Sequence, residues 1–259
     1  MADIDSSLLY FCREVSKSHK VVLTGECADE VFGGYPWFHR EEFLKSNTFP
    51  WTPSLTPRQS LLSKSLFDVL QMETYVQKIY NESVSEIAIL PTEDEIQSNR
   101  RRIGYLNIRY FMQTLLNRMD RTSMHSGLEA RVPFADRALV EYIFNVPWEM
   151  KYQNGVEKAL LRDAFRDLLP PELLHRKKSP YPKTYHPGYE KILIARMTDI
   201  LADSNASILP LIDKKKAKKF MEAPKEYGKP WFGQLMAGPQ LLAYFIQLNY
   251  WMGKYHLSV

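Results

Sequence analysis

Cysteine is scarce in this sequence: Cys12 and Cys27 are the only two in 259 residues. Two cysteines cannot build the disulfide framework of a small secreted domain, and a reducing compartment suits them. Long apolar runs are also missing, since none reaches the roughly 18 residues that a membrane-spanning helix needs. The opening Met1-Ala2-Asp3-Ile4-Asp5 is acidic and is not the pattern of a secretory signal or basic transit peptide. The expectation is a soluble cytoplasmic protein with no membrane partner. Neither sign of charge dominates. The 34 basic and 30 acidic residues leave +4, too even a balance to mark a nucleic-acid partner. None of the six histidines stands at metal-ligand spacing with a cysteine or another histidine. There is no Gly-x-Ser-x-Gly elbow, no Walker-type glycine loop, no internal repeat and no low-complexity tract. What the chain does have is 45% hydrophobic residues, enough for a sizeable core.

The first segment reads as a helix, with Asp3, Asp5 and Ser6 as candidate caps and Leu8, Leu9, Phe11, Cys12 and Val15 as its apolar stripe. Val21-Val22-Leu23 comes next as a short apolar run, the pattern of a parallel strand covered on both faces. No second strand of this kind is evident. A lone parallel strand leaves its ladder groups unpaired, so its partners are expected upstream of residue 1. Prolines 36, 50, 53 and 57 mark a turn-rich stretch, after which the pattern is helical. Leu61–Leu70 and Glu73–Tyr80 are amphipathic. Thr92 and Glu95 are spaced as a capping box opening a long helix to about Arg121. Further helices are expected over Ala138–Asn145, Val156–Leu169, Tyr189–Ala202 and Pro239–Met252, while Arg131-Val132 before Pro133 is extended. The Lys214–Lys219 run reads as the solvated face of a surface helix. The predicted fold class is α/β becoming mostly α, one visible parallel strand followed by a helical part.

Three segments could carry chemistry. Ligands of open α/β sheets bind beyond the carboxyl ends of strands, and that position holds Thr24-Gly25-Glu26. Gly25 permits close approach of a ligand to the backbone. Glu26, Asp29 and Glu30 supply carboxylates that could hold Mg²⁺ against phosphate oxygens. The same residues could instead be an acidic loop capping a helix. In the second segment, Asp120 lies between Arg118 and Arg121, either as a surface ion-pair residue or oriented by Glu129 and Arg131 towards a site. The third is His175-Arg176-Lys177-Lys178-Ser179-Pro180-Tyr181, where Lys178 could neutralise a transferring phosphoryl group or belong to a solvated basic loop. Cys27 has no partnered histidine and is not expected to be a nucleophile.

In order, Thr24-Gly25-Glu26-Cys27-Ala28-Asp29-Glu30-Val31-Phe32-Gly33-Gly34-Tyr35, Arg118-Met119-Asp120-Arg121 with Glu129-Ala130-Arg131-Val132-Pro133-Phe134-Ala135-Asp136, and Arg176-Lys177-Lys178 resemble three motifs of the glutamine-dependent asparagine synthetase family. The resemblance implies the C-terminal part of an adenine-nucleotide α-hydrolase-like (PP-loop) synthetase domain. Residues 1–40 would end its nucleotide-binding core, and residues 41–259 would form its mainly helical part. It implies Mg²⁺ and ATP, with the aspartate side chain adenylated and then amidated by glutamine-derived ammonia. Thr24 and Gly25 would contact the nucleotide, Asp29 the metal, and Glu26, Asp120 and Lys178 would be catalytic. The family's glutaminase cysteine and its Ser-Gly-Gly-x-Asp-Ser pyrophosphate loop have no counterpart in these 259 residues. The chain is therefore expected to be inactive alone, with the glutaminase domain supplied upstream or in trans; a homodimer is one arrangement the resemblance allows for the full-length enzyme. A non-catalytic helical interaction module and one half of a split synthetase are the alternatives, and nothing favours the related β-lactam-forming synthetases.

Overall fold

The structure, a computed structural model, describes residues 4–178, 186–224, 231–233 and 236–258. Asp3 as a cap and the Ser179-Pro180-Tyr181 end of the basic loop lie outside the described residues. The chain divides into two compact units. One comprises residues 1–6, 51–79 and 180–259, and the other residues 7–50 and 80–179.

The second unit carries all the candidate site residues. Among its described residues, strands β1 (Val21–Leu23) and β2 (Glu129–Arg131) pair in parallel, with Val21 opposite Glu129 and Leu23 opposite Arg131. This corrects the expectation that no partner strand exists in the chain. The sequence hid β2 because it is Glu-Ala-Arg, three residues with no apolar signal. Coverage on both faces is corrected too: Val21 is 42% and Leu23 71% exposed. The ladder continues past the strand, where Thr24 N donates to Arg131 O at 2.9 Å. Beyond it the chain turns through Cys27, whose φ of +71° is left-handed, into the short helix Ala28–Phe32. Val31, Phe32 and Cys27 pack with Met112 and Ile143 as this unit's core.

The expected long helix exists as a continuous helical run with a different start and an irregular middle. Its cap is Asp94 rather than Thr92: Gln97 N donates to Asp94 Oδ1 at 2.8 Å, and Asp94 N donates back to Gln97 Oε1 at 3.1 Å. Asp94 is extended and adjoins the first helical residue, whereas Thr92 sits two residues too early. The helix Glu95–Leu106 then passes through a π-helical turn, Asn107–Met112, into Gln113–His125. Such turns insert an extra residue into the helical ladder and re-aim the helix beyond them. Here Asn107, fully buried, donates its Nδ2 hydrogen to Glu30 O at 3.4 Å, tying the turn to the acidic helix.

The expected helix over Val156–Leu169 is also corrected. Strands β3 (Tyr152–Gln153) and β4 (Val156–Glu157) form a hairpin instead, and the helix is only Ala159–Ala164. Asn154 and Gly155, at φ +50° and +78°, form the two-residue turn. Asn-Gly favours this turn because both positions need positive φ. The helix Arg137–Asn145 lies where a helix was expected.

In the other unit, helices Pro187–Ala202 and Gly238–Lys254 pack together through Leu193, Met197, Leu241, Leu242 and Phe245. Helix Lys214–Glu222 buries Ala217 and exposes its lysines, as the charge pattern predicted. Among the described residues no helix is long and apolar enough to cross a membrane.

Candidate functional site

Strand β1 delivers Thr24, Gly25 and Glu26 to its carboxyl end. Gly25 is exposed, with open space where a side chain would project. Thr24 Oγ1 is buried without a hydrogen-bond partner, and so is Glu26 Oε2. The other oxygen, Glu26 Oε1, accepts from Arg118 at 2.9 Å. Burial raises the Glu26 pKa, and the Arg118 guanidinium only partly offsets it. Orphaned oxygens are costly and uncommon in folded proteins. Two of them lie at the end of one strand.

One helical turn on, Asp29 is the hub of a cation cluster. Lys158 Nζ donates to its Oδ1 at 2.9 Å, and Lys178 Nζ stands 3.2 Å from its Oδ2. Burial pushes the Asp29 carboxyl up, but the charges of Lys178 and Lys158 outweigh burial and hold its pKa below the ordinary value. Lys178 also donates to Gly34 O at 3.1 Å and lies 3.8 Å from the Tyr35 ring centroid. The two glycines after the helix have separate purposes. Gly33 turns the chain at φ +73°, and a Cβ there would sit 2.5 Å from the Trp148 ring; a Cβ on Gly34 would overlap Asp29 Oδ1. Beside them Glu30 is 3% exposed and accepts from the Tyr35 hydroxyl at 2.6 Å. Burial raises the Glu30 pKa, with the Tyr35 bond partly offsetting it. Cys27 is buried, and its thiol is pushed up to about 12 by burial and then by Glu30 and Glu26. A thiol in that state is a poor nucleophile.

Asp29 and Lys178, 149 positions apart in sequence, therefore meet directly, and Glu26 lies three positions before Asp29. No hydrogen bond or ion pair among the described residues joins Asp120 to them. It is exposed, two residues beyond Arg118 on the same helix, which turns it roughly 200° away. Arg131 donates to Glu129 at 2.8 Å, an exposed pair within β2 rather than a brace for Asp120. Lys158 and Arg118 are the partners that sequence reasoning passed over. The signal for Lys158 was the Asn154-Gly155 turn just before it.

Comparison with known proteins decides the family. The asparagine synthase family description matches residues 1–253. The chain belongs to the asparagine synthase family. Among family members, it is 46% identical to asparagine synthetase [glutamine-hydrolyzing] 3 of Bacillus subtilis (strain 168) over 260 residues, covering 100% of this chain and 42% of that protein. Asparagine synthetase [glutamine-hydrolyzing] 1 of the same organism is 30% identical over 214 residues, 70% of this chain and 34% of its own length. The Homo sapiens asparagine synthetase [glutamine-hydrolyzing] is 46% identical over 67 residues, 25% of this chain and 12% of its own length. The chain thus spans about two fifths of the Bacillus asparagine synthetase 3 that it matches along its whole length.

Proposed function

We propose that this chain supplies one wall of an ATP-consuming, asparagine-forming centre of the PP-loop type, in which residues 1–40 complete the nucleotide-binding core. Supporting this reading above all is the pairing of Asp29 with Lys158 and Lys178 beside the orphaned oxygens of Thr24 and Glu26. Family membership points the same way.

In this reading Thr24 and Gly25 receive the nucleotide. The unpartnered Thr24 Oγ1 and the open space over Gly25 fit a polar, planar ligand pressed against the backbone. Glu26 faces the reacting carboxyl: its free oxygen can take a proton from ammonia attacking the activated carbonyl, and its raised pKa suits such a transfer. Lys178 and Lys158 stabilise negative charge on the leaving pyrophosphate. Preorganised cations of this kind typically account for about 10²- to 10³-fold in rate. Asp120 remains a candidate for orienting phosphates from the exposed face of its helix.

Mg²⁺ normally takes one or two carboxylates with phosphate oxygens and water, rather than a cage of protein ligands. No group of three potential ligand residues occurs among the described residues. Asp29 offers a single carboxylate for that sparse mode, but Lys158 and Lys178 already hold its two oxygens, so it would take the ion only once phosphate oxygens draw those ammonium groups away. When bound, the metal neutralises phosphate charge. The products would be AMP, pyrophosphate and asparagine, with ammonia from a glutaminase domain on the same or another polypeptide.

The test is a chimaera in which residues 1–259 replace the matching segment of the Bacillus subtilis asparagine synthetase 3. Aspartate- and ammonia-dependent AMP release is the readout. Glu26→Gln and Lys178→Met are each expected to lower it about 100-fold or more with folding unchanged. Near-parental rates in both variants would overturn the assignment.

A further inference from the structure

Against the Ala28–Phe32 helix lies a cavity of about 290 Å³, lined by Glu30, Val31 and Gly33 but not by Asp29, that the proposed chemistry does not use. Its walls come from that helix, one face of the Glu95–Leu106 helix from Gln97 to Gly104, the Arg137–Asn145 helix, and the short helix Trp148–Lys151. Lys151 lines it and is only 9% exposed, yet no hydrogen bond or carboxylate ion pair reaches its ammonium group among the described residues. Arg100 lines it as well. Its guanidinium lies 5.0 Å from the Trp148 ring centroid, and its Nε is buried without a partner.

The carboxylates of the same cavity leave Lys151 without a partner among the described residues, while Arg100 feels the charges of Glu149 and Asp94 without an ion pair to either. Glu93 is committed to Arg101, whose Nε donates to it at 2.6 Å. Glu30 is committed to Tyr35. Glu149 is exposed and forms no ion pair among the described residues. A buried cation without a counter-charge is disfavoured, and folded proteins place such a charge where something else neutralises it. Burial, and then repulsion from Arg101, pull the Lys151 pKa down to about 8, the mark of an unanswered charge. The remaining lining is largely apolar: Phe38, Phe144, Val140, Val146 and the Trp148 ring. Small-ligand sites have this make-up of an apolar enclosure with a few convergent polar groups.

We propose that this cavity is a second ligand site, for a small carboxylate with an apolar body, the carboxylate received by Lys151 and Arg100 and the body packed against Trp148. The inference is independent of the asparagine-forming reading, because it uses none of the residues assigned there. Asp29 adjoins the lining residue Glu30 in the chain, so occupancy would be felt by Glu30, Val31 and Gly33 beside it.

The probe is benzoate, with benzamide as its uncharged counterpart, added to the 259-residue chain and followed by ligand-observed NMR. Benzoate is expected to bind at millimolar concentration and benzamide at least about tenfold more weakly. Lys151→Met is expected to weaken benzoate about tenfold and leave benzamide unchanged, while the variant unfolds at the same or a higher temperature than the parent. A merely structural lysine would not combine gained stability with lost anion binding. Arg100→Met, further from the helix end, gives a second reading of the same loss. The proposal is overturned if benzoate and benzamide bind alike, if neither variant changes benzoate binding, or if no benzoate binding is seen at tens of millimolar.

Discussion

The two sides of the Ala28–Phe32 helix hold their cations on opposite terms. On one side Lys158 and Lys178 share the carboxylate of Asp29, each about one-fifth exposed. On the other Lys151 is more deeply buried and has no carboxylate partner among the described residues. Burial alone thus does not decide how a charge behaves here. A paired charge is locked to its partner and depresses the partner's pKa, as at Asp29. The paired Lys178 is itself pulled down by burial, with Asp29 partly offsetting that pull, whereas Lys151 has no carboxylate to offset its own. The first arrangement is a polar cluster satisfied internally, one that a phosphate would compete for in the proposed chemistry. The second lacks a counter-charge, which an anion would supply under the proposal above.

The adjacent glycines divide along the same line, and substituting them gives the largest expected effect. Gly33 touches the cavity side through Trp148, and Gly34 touches the carboxylate side through Asp29. Gly33→Ala meets a left-handed φ and a ring 2.5 Å away. The backbone strain and the overpacking together are expected to cost about 2–4 kcal/mol, measured by urea unfolding. Gly34→Ala has no left-handed φ to strain and meets mainly the Asp29 side chain. It is expected to lose less stability but more AMP formation in the chimaera, because Asp29 must swing out of its lysine cluster. Equal losses of both properties in both variants would mean that the helix responds as one block and its two sides are not separate.

A smaller effect separates the two kinds of cation by pH. Lys151 has an ordinary value of 10.5 and a folded value of about 8. Between those pH values the unfolded chain binds a proton that the folded chain does not, so stability rises as pH is raised through that window. Below pH 8 both states are protonated, and the cost of burying the charge is present in full. The parent is therefore expected to gain about 1–3 kcal/mol of stability relative to Lys151→Met between pH 8 and 10. The groups around it are Arg100, Arg101, Glu93, Glu30 and Glu149; Arg101 stays charged throughout, so its repulsion does not change across the window. Chemical unfolding at pH 7, 8, 9 and 10 measures the difference. A flat difference would place a counter-charge on Lys151 and remove the contrast with Lys178.

How much of this is legible in the sequence depends on how local each signal is. Val21–Tyr35 is legible because strand, glycines and carboxylates are contiguous, and the helices near 138–145, 189–202 and 239–252 are set by apolar spacing within single segments. Strand β2 is not legible, because Glu129-Ala130-Arg131 carries no apolar pattern and becomes a strand only through β1. The π-helical turn at Asn107–Met112 is invisible because its periodicity differs from an ordinary helix by one residue. The Lys151 cavity has no sequence signature: its walls come from four elements spread over more than a hundred residues. The hairpin is a conflict between two local signals. Asn154-Gly155 is a strong turn pair, but the apolar spacing of Val156, Leu160 and Leu161 imitates a helix, and the turn prevails.

That hairpin provides the smallest and most selective test. Gly155 sits at φ +78° with nothing within 4 Å of where a Cβ would project, so Gly155→Ala meets backbone strain without a clash. About 1 kcal/mol of stability is expected to be lost. Lys158 lies three residues later, itself at φ +57°, and its ammonium is one of the two that hold Asp29. If the turn is what delivers Lys158, the Asp29 carboxyl pKa should rise towards its ordinary value in Gly155→Ala, as it should in Lys158→Met. Stability held by the ionised Asp29 would then be lost at a higher pH than in the parent as the solution is acidified, since a less depressed folded pKa is reached sooner. Carboxyl titration by NMR reads this directly. An unmoved Asp29 pKa in Gly155→Ala, beside a raised one in Lys158→Met, would assign the positioning of Lys158 to the Ala159–Ala164 helix that it caps rather than to the turn.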